Sequence, residues 1–260
     1  MQSAEIIFKQ IKRQVGRAIA DFNLIEDGDR ILVGVSGGKD SYTLLHVLEA
    51  LRQRAPIKFE LIAVNIDPGF PGYDKERIEQ YLRDQLFNYH METTRSYAII
   101  EEKLRPGTSY CSFCARLRRG FLYTQAERLD CNKIALGHHL DDFIETLLLN
   151  QFFSGSLAAM SAKLQADNGL HTLIRPMVYV EESDVLTLSH LMNFPIVHCS
   201  CPVTGETDQN RKRMKGLIKE LSSEIPDIRS SLISAMKNVQ PRHLLGPQVT
   251  WKMSQRQDDQ

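Results

Sequence analysis

At 260 residues, with 42% apolar and 25% charged side chains, the chain is long enough to close a full core and is composed like a soluble globular protein. Lysine plus arginine equals aspartate plus glutamate at 32 each, which excludes a global field drawing the chain to nucleic acid and confines any such surface to a local patch. No apolar run approaches the roughly 20 residues that span a bilayer, and Glu5, Lys9, Lys12, Arg13 and Arg17 interrupt any secretory h-region. A cytoplasmic location, without membrane contact and with reduced cysteines, is expected.

Ile6, Ile7, Ile11, Val15, Ala18 and Ile19 recur at helical spacing, predicting an amphipathic helix over 4–20 that packs on the main domain. Gly28-Asp29 turns the chain into an apolar strand, 31–35. A Gly-containing turn, Ser36 to Ser41, then leads to a helix-like run from Tyr42. Residues 59–66 form a second strand closed by Asp67-Pro68-Gly69, and helical periodicity returns over 74–86. A short strand at 89–94, a strand at 133–137 and a leucine-rich helix over 140–152 follow. Strands alternating with helices predict an α/β fold, a parallel sheet with helices on both faces. Ligands of such sheets sit beyond the carboxyl ends of the strands, so 34–41, 65–67 and 137–142 should converge. We expect an N-terminal helix over 1–28, a catalytic domain over 29–225 and a helical C-terminal segment over 226–260 whose last dozen residues fray.

The turn Ser36-Gly37-Gly38-Lys39-Asp40-Ser41 places backbone N–H groups at the positive end of a helix, a phosphate cradle to which Lys39 adds a mobile cation. It lacks the G-x-x-x-x-G-K-[ST] pattern of the common nucleotide loop. It resembles instead the pyrophosphatase loop of enzymes that cleave ATP to AMP and pyrophosphate while adenylating a substrate. His138-His139-Leu140-Asp141-Asp142 closes the fourth strand, with Asp141 or Asp142 placed to cap the following helix or to hold the magnesium of ATP.

Cys111-Ser112-Phe113-Cys114 and Cys199-Ser200-Cys201 are two cysteine elements far apart in the chain. Their bare spacing favours structural zinc; an iron–sulfur cluster on three thiolates would leave one iron open. Cys131 reads as a small buried hydrophobe. Basic runs follow both elements, with Arg116, Arg118 and Arg119 after the first and Arg211 and Arg213 after the second. They suggest a positive rim suited to a phosphate backbone.

Taken together, Val15 to Asp29, Ser36 to Ser41, Cys111 to Gly120, Ala135 to His139, Ile174-Arg175-Pro176, Phe194-Pro195-Ile196 and Ser234 to Leu244 resemble the tRNA 2-thiocytidine synthetases over nearly the whole chain. The resemblance implies an adenine nucleotide α-hydrolase-like fold and ATP-dependent replacement of the C2 oxygen of cytidine 32 in tRNA by sulfur. It implies ATP, Mg2+ and a [4Fe-4S] cluster as cofactors. The cluster would be held by Cys111, Cys114 and Cys201, with Cys199 as the alternative third ligand because the later element here is C-x-C rather than C-x-x-C. Leu140 stands where the family has an arginine. The nucleotide site it implies is Ser36, Gly37, Gly38, Lys39, Asp40 and Ser41 with Val64, Asn65, Gly137 and His138, and Lys39 and Asp142 are the candidate catalytic residues. Arg116, Arg118, Arg119, Arg211 and Arg213 would meet tRNA. A cysteine desulfurase or its persulfide carrier would supply sulfur, and a homodimer is compatible with the pattern. Another adenylating tRNA-modifying enzyme, a 2-thiouridine or lysidine synthetase, would leave the cysteines or the target base different; a zinc-stapled RNA-binding module would leave the phosphate loop unexplained.

Overall fold

Along the first strand, β1 (Arg30–Gly34), every residue from Ile31 to Val33 is buried, and the side chains divide by parity. Ile31 and Val33 enter one core and Leu32 the other, as the two-residue repeat of a strand covered on both faces requires. The computed structural model describes residues 3–104, 110–166, 169–197 and 209–245, with the side chains of Cys111 and Ser112 outside that description.

Five further strands pair with β1: β2 (Glu60–Asp67), β3 (Tyr89–Thr93), β4 (Lys133–Ala135), β5 (Lys163–Gln165) and β6 (Thr172–Ile174). Their order is β3-β2-β1-β4-β6-β5, parallel throughout except for β5, which is antiparallel to β6. The parallel, two-faced sheet is the one the alternation predicts; the β5–β6 edge adds an antiparallel ribbon that three-residue strands do not announce. The chain winds outward from β1 to β3 and then returns to β4 on the other side of β1. The loops after β1 and β4 therefore leave neighbouring strands in opposite senses, which opens a crevice between them.

Helices α1 (Ala4–Phe22), α2 (Lys39–Arg52), α3 (Lys75–Asp84) and α7 (Glu182–Leu191) cover one face. The stripe Ile7, Ile11, Val15 and Ala18 of α1 is buried in that core, so the N-terminal helix is part of the packing. On the other face α5 (Tyr110–Arg128) lays Leu122 and Ala126 against Leu32, Ile62, Val64 and Ile134, and α4 (Ser96–Lys103) packs beside it through Ile100. A third apolar cluster joins α6 (Leu140–Phe153) to α8 (Gln209–Glu224) through Leu140, Ile144, Leu148, Met214 and Ile218, with Leu232, Ile233 and Met236 of α9 (Ile228–Lys237) against it. Cys199, Cys201 and the polar last dozen residues lie outside the described residues. Among the described residues no helix is long and apolar enough to cross a membrane.

The amino ends of the strands are tied by a buried charge cluster. Lys133 Nζ, 4% exposed, lies 2.7 Å from Asp29 Oδ2 and 2.8 Å from Glu26 Oε2, while Asn132 Nδ2 donates to Asp29 Oδ1 at 2.7 Å. Removing the cation strands the buried Asp29 carboxylate, the costly way to break such a pair. Lys133→Ala is expected to lower unfolding free energy by about 3–5 kcal/mol in denaturant titration, a larger loss than Lys133→Ala together with Asp29→Ala.

Candidate active site at the phosphate loop

Val35 extends the first ladder by donating its N–H to the Val64 carbonyl at 2.8 Å, and the chain then folds back on itself. Ser36 N–H donates to Ser41 Oγ at 3.2 Å, Gly38 N–H to Ser36 Oγ at 3.4 Å, and Ser41 Oγ–H to the Gly38 carbonyl at 2.9 Å. Gly37 has φ +81° and room for no side chain, since a Cβ would lie 2.9 Å from Ile78 Cδ1 and 3.0 Å from Val197 Cβ. Its carbonyl accepts the Val197 N–H at 2.9 Å, which ties the loop to the chain just ahead of the second cysteine element. Gly38 is the N-cap of α2 and supplies no side-chain cap, so the first N–H groups of that helix remain for an anion.

The loop borders a cleft of about 570 Å³ between the carboxyl ends of β1 and β4, lined by Ser36, Asp40, Ser41, Val64, Ile66 and Tyr73 on one side. Gly137, His138, Asp142, Arg175 and Arg211 form the other side, and Ala115, Arg118, Arg119 and Leu122 of α5 form the roof. Gly137 allows the two sides to meet: a Cβ there would lie 3.0 Å from the Asp40 carbonyl carbon and 3.1 Å from Ser41 N.

Asp142 and Asp141, equivalent in the sequence, have different fates. Asp142 lines the cleft; its Oδ2 accepts the His139 N–H at 3.0 Å, closing the capping box of α6, and its Oδ1 faces Arg211 Nη1 at 3.5 Å. Asp141 is built into the scaffold, accepting the Glu182 N–H at 2.8 Å at the start of α7 and meeting Arg229 Nε of α9 at 3.0 Å. Lys39 belongs to the loop but not to the cleft lining; its ammonium sits 2.9 Å from Asp40 Oδ1 and 3.4 Å from Glu182 Oε1. Burial opposes that charge, yet the two carboxylates outweigh it and raise the Lys39 pKa. Asn65 also stands behind the wall: it is fully buried, donating to the Val35 carbonyl and to Tyr73 Oη, each at 2.7 Å. On β2 it is Val64 and Ile66, on either side of Asn65, that line the cleft.

The basic residues separate in the same way. Arg118, Arg119 and Arg211 line the cleft. Arg116 is exposed on α5, and Arg213 lines a different groove of about 620 Å³ with Phe152, Phe153 and Leu217. Cys111 lies in the first turn of α5, and Cys114, half-buried, packs against Phe70, Ile100 and Tyr110 just before cleft-lining Ala115. The chain leaves the described region at Val197, on the phosphate loop, and returns before Arg211, on the cleft. A C-x-x-C at 111–114 with a C-x-C at 199–201 is, by residue type, a donor set that suits a thiolate-held cluster. Cys131 is buried at the entry to β4, where burial pushes its thiol up to about 11. Among the described residues no three His, Cys, Asp or Glu side chains converge as a metal site.

Two buried ionisable residues at the site are given no role by the sequence patterns, although Ile174-Arg175-Pro176 is among the segments that carry the resemblance. Glu145, one turn beyond Asp142, is buried with Arg211 Nε at 3.7 Å, and burial raises its carboxyl to about 7; a lone carboxylate inside a leucine-rich helix is the signal. Arg175, 6% exposed, closes β6 and lines the cleft; a charged residue directly after a buried strand is the signal.

Gly137→Ala is expected to force the start of α2 away from β4, costing about 1–3 kcal/mol of stability by overpacking. Nucleotide affinity should fall at least about tenfold, because donor geometry at the anion site is lost. Denaturant titration and ATP titration read the two effects; unchanged nucleotide binding would show that this contact does not shape the loop.

Residues 7–197 match the family model of the PP-loop domain. The tRNA-cytidine(32) 2-sulfurtransferase of Syntrophotalea carbinolica is 64% identical over 239 residues, 92% of each chain. That of Geobacter sulfurreducens is 62% identical over 92% of this chain and 93% of its own. Among solved structures, the U34-tRNA thiolase NcsA from Methanococcus maripaludis, determined with its [4Fe-4S] cluster, superposes with a TM-score of 0.74 over 92% of this chain and 81% of its own. At 20% identity it shares the fold. With the phosphate loop, the arginine-lined cleft and near full-length identity to these relatives in hand, the chain belongs to the PP-loop family and, within it, to the tRNA-cytidine(32) 2-sulfurtransferases.

Proposed function

We propose that this protein thiolates cytidine 32 of tRNA at C2, by adenylating the C2 oxygen with ATP and delivering sulfur through a [4Fe-4S] cluster on Cys111, Cys114 and Cys201. The observation that carries the reading is a single cleft bordered by the phosphate loop, by the helix that begins with the cysteines, and by Arg118, Arg119 and Arg211. The curated relatives named for the same reaction support it.

The cytosine C2 carbonyl is a poor electrophile with an unwilling leaving group. Its oxygen attacks the α-phosphorus of ATP, and pyrophosphate departs with the bonding electron pair. The loop N–H groups and the start of α2 receive the charge that accumulates on the phosphates. Lys39 reaches it by exchanging Asp40 and Glu182 for phosphate oxygens. Asp142, the cleft carboxylate, would hold the Mg2+ of ATP. A cluster held by Cys111, Cys114 and Cys201 would supply sulfide; as the new carbon–sulfur bond forms at C2, the bond from C2 to the adenylated oxygen breaks and the oxygen leaves in AMP. Arg118 and Arg119 meet the tRNA backbone at the mouth of the cleft. The target base must leave its stack to enter. A cysteine desulfurase or its persulfide carrier would replenish the sulfur, with two electrons from a thiol reductant converting the sulfane sulfur to sulfide.

Nucleoside analysis of tRNA incubated anaerobically with the reconstituted protein, ATP, Mg2+ and sulfide should reveal 2-thiocytidine. Lys39→Ala should cut the rate on the order of 10²–10³, the usual loss for one preorganised charge partner. Wild-type rates in that variant would remove Lys39 from the mechanism, and absence of 2-thiocytidine with wild-type protein would overturn the reading.

The third thiolate is separable by substitution. Cys201→Ser is expected to lose iron and activity and Cys199→Ser to keep both, since alternate residues of an extended C-x-C face opposite ways. Iron and sulfide content per chain decides; reversed phenotypes make Cys199 the ligand.

A further inference from the structure

His138 lies three residues beyond the end of β4 and Arg175 directly follows the last residue of the neighbouring β6, and both line the cleft. Arg175 Nε–H donates to His138 Nδ1 at 3.3 Å, and Arg175 Nη1 donates to the Ser161 carbonyl at 2.6 Å, which fixes the guanidinium plane. Among the described residues no carboxylate pairs with this buried arginine. Burial and the nearby Arg119 both lower its pKa, but a guanidinium still keeps its protons throughout the range in which proteins fold. His138 Nδ1 faces a permanent donor and can therefore only accept. The ring proton of the neutral imidazole then resides on Nε2. Protonating Nδ1 as well would set two N–H groups against each other. The groups around the ring act in the same sense: burial, Arg175, Arg211 of α8 and His139 disfavour the imidazolium, Asp142 of α6 favours it, and the net pKa is pushed down to about 4.

We propose that Arg175 is a positioning residue that holds His138 as a permanently neutral Nε2–H donor to the phosphoryl oxygens of ATP, so that His138 neither accepts a proton nor ligates a metal in the reaction. This rests on the adenylation reading above. Gly137 brings the end of β4 against the backbone of Asp40 and Ser41, so His138 is the next residue along from the anion-binding start of α2. Two kinds of oxygen meet in such a cleft. The base C2 oxygen is the nucleophile, and an N–H donated to it would occupy the lone pair with which it attacks. The α-phosphoryl oxygens instead gain charge as the C2 oxygen–phosphorus bond forms and the bond to pyrophosphate breaks. A donor aimed there is worth more in the transition state than in the ground state. No proton passes through His138 in that step, and the electron pair leaves with pyrophosphate.

The test begins with ¹⁵N-histidine NMR of the nucleotide-free full chain. The His138 ring is assigned among the eight histidines by its loss in His138→Gln. We expect an unprotonated Nδ1 and a protonated Nε2 that do not titrate between pH 5.5 and 8.5. In Arg175→Met the tautomers should mix and the ring should titrate nearer the ordinary value of about 6.5. Pyrophosphate release from ATP in the presence of tRNA should fall on the order of 10²–10³-fold in His138→Leu, the range for one lost oxyanion donor, with a smaller loss in His138→Gln, which keeps an N–H. A protonated Nδ1 in the wild type, titration near neutrality, or wild-type pyrophosphate release in His138→Leu would each overturn the proposal. Should Arg175→Met fail to fold, the wild-type spectrum and the two His138 variants still decide. Pyrophosphate release that depends on His138 but yields no 2-thiocytidine would refute the thiolation reading and leave this proposal standing.

Discussion

The approach of β4 to the start of α2 is the contact from which the site follows. Two backbones pass so closely at Gly137 that a methyl group would meet the Asp40 carbonyl. Because the chain reverses its winding between β1 and β4, this is also where two loops diverge and a crevice opens. The close passage sets the phosphate loop, His138, Asp142 and the N-termini of α2 and α6 around one volume. A wider separation would leave the same residues on the surface as unrelated groups.

Charge around the cleft is arranged in opposed pairs rather than as a uniform field. Lys39 rests between Asp40 and Glu182, Glu182 also faces Lys215 at 2.5 Å, and Arg211 stands before Asp142 and Glu145. An incoming polyanion can exchange with these carboxylates for the same cations, so the protein need not carry unbalanced charge while waiting for substrate. Arg175 is the exception, a buried cation whose described partners are an imidazole nitrogen and a carbonyl. Such a group is tolerated where the cleft offers it an anion or where, as with His138, it fixes a neighbour.

Much of this was legible in the residues. Strands β1 and β2 carry apolar runs long enough to read, and the Ser36–Ser41 turn between a buried strand and a helix marks a phosphate cradle, whereas the cysteine spacing alone favours zinc and only the family resemblance points to a cluster. What escaped did so for physical reasons. The β5 and β6 strands have three residues each, too few for a period to show, and β5 is exposed along its length. The distinction between Asp141 and Asp142 depends on α7 and α9, which reach them from 41 and 88 residues away. Asn65 was placed at the nucleotide together with Val64 by the resemblance; the two-residue repeat puts Val64 and Ile66 on the cleft, while the Asn65 amide donates to the Val35 carbonyl and the Tyr73 hydroxyl. Arg116 and Arg213 look equivalent to Arg118, Arg119 and Arg211 in a run of charge; helical phase separates them.

The Lys133 cluster lies at the amino ends of the strands, while the chemistry gathers at their carboxyl ends. The molecule thereby keeps its principal buried ion pair one sheet-length from its reactive volume. Perturbations at distant sites with no shared partners add nearly independently, so the lower rim can absorb substitutions that tune thermal tolerance without retuning catalysis. An active site that holds a buried arginine, with a buried glutamate behind it whose carboxyl is pushed up by burial, tends to sacrifice stability. This spatial division of labour gives a lineage a reservoir, at the opposite pole of the sheet, from which that deficit can be offset.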